Sequence, residues 1–101
     1  MKMRWPPQLV LLLAEFTGRP QDWKYGYEIS RNTGIKSGTL YPILMRLADR
    51  GLLETSWEPA EPGKPPRHLY KLTGDGVRFA REQVSSTRNA VLRPELREVK
   101  S

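Results

Sequence analysis

One histidine, no cysteine and 11 carboxylates spread over 101 residues leave this chain little with which to make or break bonds. No acid pair at helical spacing stands beside a candidate nucleophile, and His68 lies in a basic segment suited to phosphate contact or packing. Ligand clusters of the kind that hold metals are missing from the pattern, so neither a metal nor a cofactor is expected. What the residues can do is bind a polyanion. The net charge is +6 and the pI near 10. Between Glu28 and Asp49 no acid occurs, while Arg31, Lys36 and Arg46 supply positive charge. Such a stretch holds nothing that phosphates would repel.

Within it, Lys36-Ser37-Gly38-Thr39 puts one cation, two hydroxyls and a residue without a side chain at the start of an apolar rhythm. Helix-start amides bind phosphate, and a glycine lets a backbone come close. Tyr41 adds a hydroxyl and Arg46 a second cation. Pro42 is unusual: inside a helix it deletes one hydrogen bond, and it is expected to tilt the first turn. The DNA-binding residues expected from the pattern are therefore Lys36, Ser37, Gly38, Thr39, Tyr41, Pro42 and Arg46, with Lys64 and Arg67 further along. The first 61 residues carry eight basic and seven acidic groups, the last 40 nine and four.

Two short helices joined by a tight turn must position these groups. Gly34 is where the first would end in a left-handed cap, with Ile35 covering it. Ser37 reads as the N-cap of the second, about residues 37–50, whose inward face is Leu40, Ile43, Leu44 and Leu47; Gly51 ends it. This is a helix-turn-helix pattern, in which the second helix meets a DNA groove. LLETSWEP and RHLYKLT then read as two strands around a Pro/Gly-rich turn, a wing over about 52–72 with Lys64, Arg67 and His68 at its tip.

The flanks supply core and contact surface. Pro7 suits the start of a first helix in which Leu9, Leu12, Leu13 and Phe16 form one face, while Val10 and Leu11 add apolar surface on another. So small a domain can enclose few helices fully, which points to Val10 and Leu11 as dimer contacts. The six-residue apolar run from Leu9 to Ala14 is too short for a signal peptide or a membrane span. Trp23, Tyr25 and Tyr27 are expected to plug the core rather than to stack on unpaired bases. Thr73 can cap a last helix whose narrow seam of Val77, Ala80, Val84, Thr87 and Val91 suits pairing with one other helix. A flexible tail is expected after Pro94. The absence of cysteine suits a reducing cytoplasm.

YGYEI, SGTLYPILMRLADRGLLETSWE and GKPPRHLYKLT, in this order and spacing, closely resemble the PadR family of bacterial transcriptional regulators over roughly residues 9–82. Two positions depart from it: Tyr25 stands where a histidine is usual, and Gly38 follows Ser37 where a proline commonly intervenes. The resemblance implies a mostly α fold with a two-stranded wing. Residues 1–73 would form a winged helix-turn-helix, 74–93 a dimerisation helix and 94–101 the tail. It also implies a dimeric regulator, mostly a repressor, released by a small molecule or stress signal. Double-stranded DNA, a second copy of the chain and a small apolar or aromatic effector are then the expected partners, the dimer contacts being Val10, Leu11, Val77, Ala80, Val84 and Val91. Trp5 and Phe79 are the aromatic candidates for the effector site. A dimer would favour a palindromic operator in the cytoplasmic nucleoid. The competing reading is a winged helix that shapes DNA without a specific operator, or that binds protein.

Overall fold

The computed structural model describes residues 5–92, with side chains for 5–87. Seven elements follow one another: α1 (Gln8–Thr17), β1 (Lys24–Tyr25), α2 (Gly26–Thr33), α3 (Ser37–Asp49), β2 (Leu53–Glu58), β3 (Arg67–Leu72) and α4 (Gly74–Leu92). The expected tail, 94–101, lies outside the described residues.

The core is assembled from the inward faces of four helices and the roots of the wing. Leu9, Leu12, Leu13 and Phe16 of α1 meet Ile29 of α2, Leu40, Ile43, Leu44 and Leu47 of α3, and Leu53, Tyr70 and Leu72 of the sheet. Each fully buried aliphatic side chain contributes about 1.5–3 kcal/mol of transfer free energy, which is what holds helices this short in place. Among the described residues, no polar or charged side chain is buried, so the basic groups all sit at the surface.

The sheet has three strands, one more than the sequence pattern suggests, in the order β1-β3-β2 and antiparallel throughout. β2 and β3 form the wing, with Leu53 opposite Leu72, Thr55 opposite Tyr70 and Trp57 opposite His68. β1 adds Lys24 opposite Tyr70 and Tyr25 opposite Leu69. Two residues are too few to announce a strand by alternation; only the neighbouring edge of β3 makes them one.

That edge strand also overturns the expected role of three aromatics. Trp23 and Tyr27 are exposed and Tyr25 is half-buried. Trp23 flanks the sheet edge with the Lys71 ammonium 4.8 Å from its ring centre, and Tyr27 stacks on Tyr25 with centroids 5.3 Å apart. The core is already filled by aliphatic side chains and Phe16, and pairing of β1 with β3 turns these rings to its outside.

The seam expected on α4 is used at home. Ala80 is 0 % exposed within its own chain, and Val77 and Val84 pack against the same core, where α4 crosses α1. Ala80 therefore has no surface to offer a partner, a correction to its expected dimer role. The side chain of Val91 lies outside those described. α4 starts as expected: Thr73 Oγ1 accepts from the Gly76 amide at 3.0 Å and donates to the Gly51 carbonyl at 2.7 Å. A side chain at Gly76 would collide with the Leu52 carbonyl oxygen.

Candidate nucleic-acid interface

The turn between α2 and α3 is stitched by short bonds. Gly34 adopts φ 76°, ψ 3°, and its amide donates to the Ser30 carbonyl at 2.9 Å. Ser30 Oγ donates to the Ile35 carbonyl at 2.6 Å, and the Ile35 amide donates to Thr33 Oγ1 at 3.2 Å. Ile35 is buried beneath the turn. These contacts fix the direction in which α3 leaves.

The cap of α3 falls one residue earlier than expected. Lys36, in an extended conformation, is the N-cap residue; its carbonyl accepts from the Thr39 amide at 3.0 Å and the Leu40 amide at 2.9 Å. Ser37 is the first helical residue and its hydroxyl makes no cap bond, so the expectation that it caps the helix is corrected. The consequence suits an anion: the hydroxyl is left at the surface beside the outward-pointing amides of a helix start. Lys36, Ser37, Gly38 and Thr39 are all exposed. The helix runs on through Pro42, whose missing amide releases the carbonyl of Gly38. Beyond it α3 ends as expected, with Gly51 at φ 73° and the Leu52 amide donating back to the Leu47 carbonyl at 2.9 Å.

Tyr41 and Arg46 leave this face on opposite sides. The Tyr41 ring packs over Gly26, where an added Cβ would stand 2.6 Å from its hydroxyl oxygen. Gly26 thus serves close approach, not a turn. Arg46 is half-buried, its guanidinium 4.5 Å from the centre of the Trp5 ring; that of Arg50 lies at 5.6 Å. Arg46 was expected to reach base or backbone, and here its charge is held against an indole. Trp5 also touches Phe79 of α4, with centroids 5.8 Å apart, so the two aromatic effector candidates are brought together. The outward face of α3 itself consists of Gly38, Pro42, Met45 and Asp49, all exposed.

On the wing, the tip is residues 59–66, and Arg67 and His68 belong to β3 rather than to the tip. Lys64 is at the tip, exposed, with Glu61 at 3.9 Å. Arg67 is braced at the base of the tip: Nε lies 3.4 Å from Glu58 Oε1, and the guanidinium sits 5.3 Å over the Tyr25 ring. Tyr25 Oη donates to the other Glu58 oxygen at 2.7 Å, and this bond raises the phenol's pKa. The Glu58 carboxylate likewise raises the pKa of Arg67. His68 stacks on Trp57 with centroids 4.0 Å apart and shares a 2.8 Å hydrogen bond with the Tyr70 hydroxyl. Burial lowers the pKa of His68 and pushes the Tyr70 phenol up to about 12.

Between wing and helices lies an open cleft of about 420 Å³ lined by Gly26, Tyr27, Tyr41, Trp57, Pro66, Arg67 and His68. Glu58 was not singled out from the sequence. Its signal was cross-strand: it faces Arg67 only in the β2–β3 register. Among the described residues, no group of three or more acids and histidines could hold a metal ion, and no helix is long and apolar enough to cross a membrane.

A helix-turn-helix followed at once by a two-stranded wing, with the basic and hydroxyl groups on its surface, defines a winged-helix DNA-binding regulator. The family model of the Transcriptional regulator PadR-like family matches residues 20–82. The chain belongs to that family, and so to a class of transcriptional regulators rather than of enzymes. Solved structures agree. A PadR-like transcription factor from Bacteroides fragilis superposes with a TM-score of 0.69 at 28% identity, covering 91% of this chain and 89% of that one. A PadR family transcriptional regulator from Eggerthella lenta gives 0.65 at 29% identity, covering 93% and 82%. A MarR family protein from Porphyromonas gingivalis, 20% identical, shares the fold with a TM-score of 0.69 over 87% and 80% of the two chains. No curated protein matches the sequence.

Proposed function

We propose that the protein is a homodimeric repressor that binds a palindromic operator in the cytoplasmic nucleoid, with α3 in the major groove and the wing on the flanking backbone. The observation that carries this reading is the exposed, acid-free start of α3, Lys36 to Thr39, beside a wing bearing Lys64 and Arg67. Backbone contacts from Lys36, Ser37, the Gly38 amide and the wing cations hold the helix in register and supply affinity; groups deeper in the groove supply sequence preference. Two copies would set two recognition helices about 34 Å apart, one turn of DNA.

Dimerisation rests on α1, where Val10 is half-exposed and Leu11 is 50% exposed. Release by a small apolar or aromatic effector is the regulatory part of the proposal. It is supported by the Trp5–Phe79 contact, because the same indole carries Arg46 of α3 and Arg50 at its C-cap. A ligand that displaces Trp5 would disturb the recognition helix directly. Titration of aromatic ligands against tryptophan fluorescence and DNA release, repeated with Trp5→Phe, tests this; ligands that release DNA equally from both proteins would remove Trp5 from the mechanism.

The test of the whole reading is selection of bound duplexes from a random pool at near-physiological salt. A recovered palindrome with half-sites one turn apart supports it. Binding with no enriched motif would make the protein an architectural one, and no binding would direct attention to a protein partner.

A further inference from the structure

The face that α3 turns to solvent has an unusual chemistry for a DNA reader. Residues 38, 42, 45 and 49 follow one another at spacings of four, three and four, opposite Leu40, Leu44 and Leu47. Gly38 has no side chain and Pro42 offers neither a donor nor an acceptor. Asp49 is an acid at the far end of the helix, where phosphates would repel it. The group that projects from the middle of the face is Met45, 64% exposed, more than any other large apolar side chain described. The neighbouring hydroxyls of Ser37 and Thr39 both donate and accept, so they discriminate little between bases. Tyr41 and Arg46 are turned aside against Gly26 and Trp5.

We infer that Met45 is the base-reading residue of α3 and that it reads the 5-methyl groups of thymine in the major groove. This rests on the proposed entry of α3 into that groove. Isolated exposed apolar side chains are common on protein surfaces. Met45 differs in its position, at the centre of a helix face whose other members offer no side-chain donor. The major-groove edge of DNA carries one apolar substituent, the thymine methyl. An unbranched thioether can follow a methyl group through small changes in groove geometry more closely than a branched side chain of similar size.

The test uses the intact protein and the duplex enriched by selection, with thymines replaced one at a time by deoxyuracil, which lacks only the methyl group. Fluorescence anisotropy should show wild-type affinity falling about fourfold, the effect of exposing one buried methyl group, at one or two positions per half-site. Met45→Ala should bind the thymine and uracil duplexes equally, Met45→Leu should keep the preference, and both should melt with the wild type. Wild-type indifference to uracil at every position would overturn the assignment, as would a preference retained in Met45→Ala. Selection that enriches no duplex would refute the operator reading, and the Met45 assignment with it. An enriched duplex read without regard to methyl groups would refute Met45 alone.

Discussion

Gly26 and Arg67 illustrate how far a single side chain depends on one distant in sequence. The Gly26 position is closed by the Tyr41 ring, so Gly26→Ala is expected to lower stability by about 1–3 kcal/mol through overpacking. Because the nearest atom is the Tyr41 hydroxyl, adding Tyr41→Phe should recover part of that loss in a double-mutant cycle read by urea unfolding. The two wing cations should separate by experiment. Lys64→Ala removes an exposed charge and should reduce the slope of log affinity against log salt by about one, on any duplex. Arg67→Ala should weaken binding further, since it leaves Glu58 facing the backbone with only the Tyr25 hydroxyl to satisfy it. Glu58→Gln placed on that variant should restore part of the affinity. Equal losses for both cations, unaffected by Glu58→Gln, would contradict the bracing role of the pair.

At the scale of elements, the wing is a paired ribbon whose outer half lacks core support. It is stiffened instead by the stack of Trp57 on His68 and the bond from His68 to Tyr70. Burial lowers the His68 pKa below its usual 6.5, and this fixes the sign of a pH effect. As pH falls through that value, the unfolded chain takes up a proton before the folded wing does. Stability is complete above this window and declines as pH falls through 6.5 toward the folded pKa. Melting temperature measured between pH 7.5 and 5.5 should therefore drop, and His68→Gln should flatten the profile. A His68→Gln profile parallel to wild type would assign the dependence to the carboxylates. α3 shows the complementary case, being held by four buried aliphatic residues and by a turn closed with side-chain bonds, so its direction owes little to its own helix propensity.

For the whole molecule, the decisive quantity is how much apolar surface one copy leaves outside. α4 closes over α1 through Val77, Ala80 and Val84, and what remains of the greasy first helix is Val10 and Leu11. Leu11→Glu should shift sedimentation at micromolar concentration from dimer to monomer while leaving the far-ultraviolet spectrum unchanged, because the side chain is already half in water. Operator affinity should fall with it, since a monomer engages one half-site only. A variant that stays dimeric would move the interface to another surface.

Much of this protein is legible in its residues. Leu40, Ile43, Leu44 and Leu47 at helical spacing, Gly34 and Gly51 at helix ends and Thr73 before the last helix each report a local rule, and each lies where that rule predicts. The exposed start of α3 was equally visible, because an acid-free run with a lysine, hydroxyls and a glycine needs no partner to be recognised. Tertiary structure alone decided what the singled-out side chains touch. Arg46 is drawn to Trp5, Tyr41 settles over Gly26, Arg67 is tied to Glu58 and Tyr25, and Ala80 vanishes under α1. The physical reason is the same throughout: a local pattern specifies the face on which a residue lies, whereas its partner depends on packing between segments far apart in the chain.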